Sequence, residues 1–187
     1  EGWPAGLVLL HGFFANVPGS DRLAALTGKP RTEFRAHIFD YLAEEVFSRL
    51  PPGLQDFLLH TAVSDHLTTP LMAALTGLPE QAPENRPSVA SVVRELTARN
   101  LFVSSMDADG SVIRYHALFR EFLLKTFLAQ RTSGEVRKRY AVAARYFKAA
   151  GDPVRAVDLW IESGQADKAV REIESCSHRL IAQGRTQ

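Results

Sequence analysis

Three features of the sequence predict a mainly α-helical fold, a winged-helix domain with one short β-hairpin followed by the start of a TPR-like helical repeat array. Apolar residues recur at helical spacing through most of the 187 residues. One Asp-Gly pair lies between two short β-prone segments. After residue 132 the chain changes to short Ala-rich segments with an internal repeat. Several helices, one hairpin and a further helix follow one another in the order of a winged helix.

The composition is that of an ordinary globular protein, with 45% hydrophobic and 23% charged residues. A single cysteine, Cys176, excludes an internal disulfide and a thiolate zinc site, and it indicates a reducing compartment. No run approaches the ~18 consecutive apolar residues of a membrane helix, so we expect a cytoplasmic protein without membrane contact. The chain starts without Met on a well-patterned segment, and we therefore expect a piece of a larger protein.

The first predicted unit, residues 1–33, consists of a helix and a turn-rich loop. One helical stripe joins Trp3, Leu7, Leu10 and Phe14. The LVLLHGFF stretch inside this helix also resembles the strand and His-Gly turn of an α/β-hydrolase, which needs a Gly-x-Ser-x-Gly elbow further along the chain. None of the twelve glycines has a serine two positions later. The sequence therefore predicts a helix here and excludes a hydrolase.

The second predicted unit, residues 34–131, is the winged-helix domain. Its first helix ends before Pro51 and carries one apolar stripe, namely Phe34, Ile38, Leu42, Val46 and Leu50. The stretch PGLQDFLLHTAV begins the next helix, with an apolar face of Leu54, Phe57, Leu58 and Val63. A short helix then starts at Thr69-Pro70, with Thr69 as its cap.

The rest of the second unit is predicted to form a helix, a hairpin and a last helix. The helix from Ser88 to Asn100 turns four residues inward, namely Val89, Val92, Val93 and Leu96. Arg94 and Glu95 then face outward, and Arg99 lies between the two faces. LFVSS and SVIRY flank the turn MDADG and form the hairpin, and the strongly apolar ALFREFLLKTFLAQ follows as a helix.

The third predicted unit, residues 132–187, contains the first helices of a repeat array. GDPVRAV at residues 151–157 recurs thirteen residues later as GQADKAV at residues 164–170. Gly151 and Gly164 are expected to end the preceding helices, and Asp152 with Pro153 opens a new one. Because a repeat buries its apolar face only against a neighbour, we expect further repeats beyond these.

The charged residues are unevenly distributed along the chain. Lys and Arg number 5 against 10 Asp and Glu in residues 1–85, 12 against 5 in residues 86–148, and 5 against 6 in residues 149–187. The basic middle segment can face nucleic acid, or it can face the acidic N-terminal part of the same molecule. Both interpretations remain open from the sequence.

Signatures of catalysis and metal binding are absent from the sequence. The chain contains no Walker A motif and no His-Glu-x-x-His, so we expect no catalytic residue and no metal site. His116 lies where the second hairpin strand enters the apolar helix, and an imidazole beside helix N-terminal amides can bind a phosphate. Alternatively, His116 caps the helix or packs against the hairpin, and its spacing alone favours this second interpretation.

Four segments together resemble the MalT-type, large ATP-binding LuxR-family transcriptional regulators, which belong to the STAND class of signalling NTPases. They are GWPAGL (residues 2–7), FDYLAEEVFSRLPPGLQDFLLHTAV (39–63), RELTARNLFV (94–103) and RYHALFREFL (114–123). The resemblance implies an ATPase core before this segment, then the winged helix, sensor repeats that bind inducer, and a C-terminal helix-turn-helix that binds DNA. The chain resembles the middle of such a protein, from the end of the NTPase module to the first repeats.

The resemblance also implies site residues, partners and a cofactor. Gly2 and Pro4 match a Gly-x-Pro motif whose proline packs near adenine, and His116 matches a Met-His-Asp motif whose histidine approaches the β-phosphate of ADP. Tyr115 and Ala117 replace the Met and the Asp of that motif. The implied partners are the NTPase core and sensor repeats of the same chain, DNA through the helix-turn-helix, and a second copy in the active state. ATP or ADP would bind the full-length parent, with no cofactor in this segment.

Two other functions remain as alternatives to such a regulatory segment. In the first, the winged helix itself binds DNA, with Arg94, Arg99 and Arg114 as contacts. The acidic wing MDADG and the few outward polar residues of the helix from Ser88 argue against it, because phosphates repel acidic groups. In the second, residues 132–187 are a helical-repeat module that binds another protein.

Overall fold

In the computed structural model, the described residues are 43–84, 86–99, 102–107 and 110–184, and from residue 176 onward only the backbone is described. Residues 43–48 are helical. The elements that follow are α1 (Pro52–Thr61), β1 (Leu67–Thr68), α2 (Thr69–Thr76), α3 (Val89–Ala98), β2 (Val103–Ser105), β3 (Val112–Tyr115), α4 (Ala117–Gln130), α5 (Ser133–Ala149), α6 (Pro153–Glu162) and α7 (Ala166–Gly184). This order confirms the predicted fold class of a winged helix followed by helical repeats. The predicted unit 1–33 and the side chain of Cys176 lie outside the described residues.

The buried face of the helical stretch at residues 43–48 differs from the predicted stripe. Leu50 is buried as expected, but Val46 is only half-buried, and Phe47 packs into the core instead. The Phe47 ring meets Phe122 of α4 edge-on, with 5.8 Å between the ring centroids. Val46 and Phe47 point about 100° apart on the helix, and the buried direction is that of Phe47. The other predicted stripe residues, Phe34, Ile38 and Leu42, lie outside the described residues.

Local capping signals set the starts of α2 and α3. Thr68, rather than the predicted Thr69, caps α2, and its side-chain oxygen accepts a hydrogen bond from the Leu71 amide at 3.3 Å. Thr68 has the extended backbone that a cap requires because it ends strand β1, whereas Thr69 is already helical. Ser88 caps α3 in a reciprocal pair with Ser91, and the four predicted inward residues of α3 are all buried.

The sheet contains the predicted hairpin and one strand that the sequence did not reveal. Strands β2 and β3 pair antiparallel, with Ser104 opposite Arg114, and Gly110 in the connecting turn has a φ of 72°. The two residues of β1 pair with the other edge of β3, so the strand order is β1-β3-β2. Two residues are too short for any alternating pattern, which is why sequence periodicity could not predict β1.

A cluster of aromatic side chains forms the centre of the winged helix. Phe119 of α4 is completely buried and lies 4.9 Å from the Phe102 ring, 6.1 Å from Tyr115 and 6.3 Å from Phe122, measured between ring centroids. These rings join α4 to the hairpin. Because Phe122 also contacts Phe47, one helix ties the sheet to the first helical stretch of the described chain.

The repeat part is built from helices that pack through small residues. Gly151 and Gly164 have φ values of 82° and 69°, and each ends a helix as predicted, because glycine adopts this left-handed conformation without strain. Asp152 caps α6 through the Arg155 amide at 3.1 Å. The buried alanines of α5, α6 and α7 let the helices approach closely; they are Ala141, Ala143, Ala144, Ala156 and Ala169.

Candidate functional site

His116 lies at the N-terminus of α4, directly after β3. Its backbone N–H donates to the Phe102 carbonyl at 2.7 Å, and its exposed side chain makes no capping hydrogen bond to the helix. His116 thus occupies the N-cap position of α4, as the second interpretation expected, but its imidazole does not cap the helix. The site consequently combines an imidazole with the first amides of a 14-residue helix, the two groups that favour an anion.

A buried neighbour before His116 and a backbone hydrogen bond after it fix its position. The Tyr115 hydroxyl lies 2.7 Å from Thr61 Oγ1 in the core, and burial raises the pKa of Tyr115 well above its ordinary value. On the other side, the His116 carbonyl accepts a hydrogen bond from the Arg120 amide at 2.9 Å. Ala117 is exposed and supplies no carboxylate to the site. The resulting site has a fixed backbone and no acidic group at the position of the family's Asp.

Phe102 belongs to this site although sequence reasoning did not identify it. Its φ is 53°, a conformation that costs a bulky residue roughly 1–2 kcal/mol. Two contacts offset this cost: the Phe102 ring packs against Phe119, and the Phe102 carbonyl accepts from His116. The sequence contains no signal for this conformation, since positive φ is normally adopted by Gly or Asn.

The three arginines of the DNA-binding alternative are all exposed. Arg94 lies on the outer face of α3, and Arg99 at the end of that helix pairs with Glu95, with 2.8 Å between Nη2 and Oε1. Arg114 lies on the solvent side of β3, since its neighbours Ile113 and Tyr115 are buried. Helix α3 contacts β2, which pairs with the strand that carries Arg114.

The structure explains half of the basic middle segment by contacts inside the molecule. Six of its twelve cations bind a carboxylate or a backbone carbonyl of the chain: Arg99, Arg120, Lys125, Arg131, Arg139 and Lys148. Arg120 donates to the Ala62 carbonyl at 3.0 Å, at the C-terminal end of α1, where helix carbonyls favour a cation. Three of the six contact residues 1–85, namely Arg120, Arg131 and Arg139, and the contact of Arg131 with Asp56 is an ion pair.

Polar contacts also join the winged helix to the first repeat helix, α5. The Tyr146 hydroxyl lies 2.6 Å from Thr68 Oγ1, Arg139 donates to the Leu75 carbonyl at the end of α2, and Arg131 pairs with Asp56 of α1. Helix α5 also packs against α2 through apolar residues of one continuous core. We call this region the joint: in it, α5 and the residues Arg131 and Thr132 before it contact α1, α2 and the Thr68 cap of α2.

His60 is the titratable group in the middle of the joint. Its ring meets Phe127 edge-on at 6.0 Å between centroids. Burial lowers the pKa of His60 below 6.5, and the charges of Arg139 and Arg131 lower it further. The carboxylates of α1 and α5, namely Asp56 and Glu135, act in the opposite direction. His60 is consequently held towards its neutral form in the folded chain.

A cleft of about 260 Å³ lies beside the joint, between α4, α5, α6 and the connection after α1. Both signs of charge line it, with Arg120 and Arg155 among the cations and Asp158 and Glu162 among the acids. Beside it, burial and then the Glu162 carboxylate raise the pKa of Tyr140 to about 12. Two arginines and three carboxylates, including Asp65, line the cleft, so both signs of charge are present in its wall.

The remaining expectations concern Gly2 and Pro4, metal binding and membrane contact. Gly2 and Pro4 lie outside the described residues. Within the described ranges, no three His, Cys, Asp or Glu side chains come close enough to hold a metal ion. None of the helices in that part of the chain is both long and apolar enough to cross a membrane.

Comparison with known proteins shows a match at the winged helix. The family model described as the MalT winged helix domain matches residues 43–136, which is half of the chain. The matched segment runs from the helical stretch before α1 to the first turn of α5. It therefore includes the aromatic cluster, the site at His116 and part of the joint.

Relatives match over most of this chain but over a small part of their own length. The HTH-type transcriptional regulator MalT of Vibrio campbellii is 29% identical over 187 residues, which are 98% of this chain and 19% of the relative. The MalT regulator of Vibrio cholerae is 30% identical over 80% of this chain and 16% of its own length. The serine/threonine-protein kinase PknK of Mycobacterium tuberculosis is 29% identical over 85% of this chain and 14% of its own length. The chain thus spans about a fifth or less of these relatives.

Proposed function

This chain belongs to the MalT winged helix domain family, and we propose that it is the middle segment of an ATP-dependent, inducer-responsive transcription activator. In this proposal, the winged helix couples the nucleotide state of an ATPase core to the sensor repeats that begin with α5. The segment itself catalyses nothing. Output comes from a DNA-binding helix-turn-helix elsewhere in the parent protein, which works in the cytoplasm and self-associates when active.

The joint is the observation that carries this proposal. A coupling element must move with both neighbours, and the joint combines a continuous apolar core with three polar contacts, namely Tyr146 to Thr68, Arg139 to Leu75 and Arg131 to Asp56. A displacement of the winged helix is therefore passed to the first repeat without a flexible linker. The connection from α4 to α5 contains only Arg131 and Thr132, and both are held by hydrogen bonds.

Contact with nucleotide would be made at the site around His116. The resemblance implies that His116 approaches the β-phosphate of ADP and that the motif of Gly2 and Pro4 packs near the adenine. The exposed imidazole and the uncapped amides of α4 supply the groups that bind a phosphate. A ligand shifts a conformational equilibrium only through contacts that differ between the two states. Loss of the His116 contact when ADP leaves would provide such a difference.

The test is His116→Ala in the full-length parent protein. We expect faster dissociation of ADP and higher transcription without inducer, because the resting state loses a contact to its nucleotide. Arg114→Ala is the matched control, since Arg114 is also exposed, lies two residues away and is on the outer side of the hairpin. Unchanged ADP dissociation in the His116 variant would contradict the proposed role.

The kinase relative bears on the output of the parent protein rather than on the coupling. PknK is named as a serine/threonine-protein kinase and matches this chain over residues that the MalT regulators also match. The same coupling segment can therefore serve an activator or a kinase. Duplex binding through Arg94, Arg99 and Arg114 is the second candidate, favoured by the exposure of all three side chains. Loss of duplex binding in Arg94→Glu would support it.

A further inference from the structure

The outer face of α5 carries basic side chains that make no hydrogen bond or ion pair within the described part of the chain. Arg137, Lys138 and Arg145 are exposed, and none of them forms a hydrogen bond or ion pair with any residue of the described ranges. We call these three residues the α5 basic face. They differ from Arg139 of the same helix, which is half-buried and bound to the Leu75 carbonyl.

Helix geometry places Lys138 and Arg145 on a single stripe. They are seven residues apart, which is two turns and about 10 Å along the axis. Arg137 flanks this stripe, about 80° around the helix from Arg145. Gly134 lies on the stripe as well, and the small, buried Ala141 lies between Lys138 and Arg145. Lys148 extends the stripe by one turn, and its side chain is 53% exposed although it pairs with Glu172.

Neither acidic nor apolar side chains interrupt the α5 basic face. Glu135 is the one carboxylate in the sequence of α5, and it folds back onto the helix cap, accepting from the Thr132 amide at 3.0 Å and from its hydroxyl at 2.8 Å. Large exposed apolar residues occur on α4, α6 and α7 but not on α5. A protein interface needs an apolar centre, whereas a polyanion needs only cations and close approach.

We propose that the α5 basic face binds the phosphate backbone of duplex nucleic acid without sequence preference. Two of its three cations are arginines, whose planar guanidinium groups bind phosphate through two hydrogen bonds. The spacing of about 10 Å lets Lys138 and Arg145 contact separate phosphates. This surface lies on the repeat side of the joint, away from the helix and hairpin that a winged helix would use. It does not depend on the proposed nucleotide coupling.

The experiment measures binding of this 187-residue chain to a fluorescent duplex of mixed sequence by anisotropy. We expect binding at low salt. The logarithm of the binding constant should fall with the logarithm of the salt concentration with a slope of about −3, since each neutralised phosphate contributes about −0.9. Lys138→Ala/Arg145→Ala should weaken binding at least tenfold and bring the slope to about −1. Alanine keeps α5 helical, and far-ultraviolet circular dichroism checks that it does.

Two controls decide the assignment. Arg86→Ala/Arg171→Ala removes two exposed arginines outside α5 and should leave the affinity within twofold. If this control loses binding while the α5 variant retains it, the assignment to α5 is overturned. Absence of duplex binding at low salt overturns it as well. Displacement of the duplex by polyglutamate at matched charge would show that the face takes an acidic polypeptide instead, which also overturns the proposal.

Discussion

The winged helix and the repeat part are held together in different ways. In the winged helix, large rings from α4, the hairpin and the first helical stretch meet in one aromatic cluster. In the repeat part, five buried alanines let α5, α6 and α7 pack closely, with each helix contacting its neighbour in sequence. The winged helix thus depends on contacts between distant residues, and the repeats depend on contacts between consecutive helices.

Because the two parts are packed differently, we expect a side-chain substitution to have a different effect in each. Removing a ring from the aromatic cluster leaves a cavity shared by several elements. Adding volume at a buried alanine instead pushes two neighbouring helices apart. The joint connects both kinds of packing, so its polar contacts determine whether the two regions unfold together.

The largest effect is expected for Phe119→Ala, in the middle of the aromatic cluster. Phe119 is completely buried and touches three other rings. Its truncation should lower the free energy of unfolding by about 3–5 kcal/mol, measured by urea denaturation. Leu128→Ala is the control on the same helix, because Leu128 is 51% exposed, and it should change stability by less than about 0.5 kcal/mol. Equal losses would show that the cluster is not the centre of the core.

The next effect is expected for Ala144→Leu, in the repeat part. Ala144 is completely buried, and three additional carbons there should cost about 1–3 kcal/mol by separating α5 from its neighbours. Hydrogen exchange should show the loss of protection in α5 and α6 before any loss in β3. The control is Ala149→Leu, which is exposed at the end of the same helix. If Ala144→Leu were as stable as the parent chain, the buried alanines would not set the helix spacing.

Tyr146→Phe tests the joint and should have an effect of about 1 kcal/mol. It removes the hydroxyl that lies 2.6 Å from Thr68 Oγ1. Tyr115→Phe is its matched control, because it removes a similar bond of 2.7 Å to Thr61 inside the winged helix. Since the core is continuous, both variants should shift one shared urea transition. Two separate transitions in Tyr146→Phe would show that the regions unfold independently.

His60 should give the smallest effect, visible as a dependence of stability on pH. Its pKa in the folded chain lies below 6.5 because of burial first and Arg139 second. The unfolded chain then binds the proton more readily, so this stability is fully present above pH 6.5 and is lost as the pH falls towards the folded-state pKa. We expect the urea midpoint to decrease between about pH 7.5 and about pH 5. His60→Gln should flatten this decrease.

The matched control for the pH experiment is His116→Gln. His116 is exposed at the N-terminal end of α4, whereas His60 contacts Phe127 near the C-terminal end of that helix. The His116→Gln variant should retain the decrease seen in the parent chain. A decrease that persists unchanged in His60→Gln would assign the pH dependence to other groups and would contradict the role given to burial of this imidazole.

Part of the candidate site could be predicted from the sequence, and there is a physical reason why the rest could not. The position of His116 between a strand and a helix follows from the change of hydrophobic period, from alternation in SVIRY to helical spacing in ALFREFLL. Its exposure and the missing cap did not follow, because they depend on what Tyr115 and Phe102 contact. The exposure of Arg94 was predictable from the helical face, whereas the partner of Arg131 was not.

By itself, the sequence determined the elements and their order. Ser88, Thr132 and Asp152 start helices, Gly151 and Gly164 end them, and an Asp-Gly turn makes the hairpin, because these signals act within a few residues. Tertiary structure decided what required contact between distant residues: strand β1, the burial of Phe47, the left-handed Phe102 and the joint. The Thr68–Tyr146 contact spans 78 residues, and no local pattern encodes a pairing at that distance.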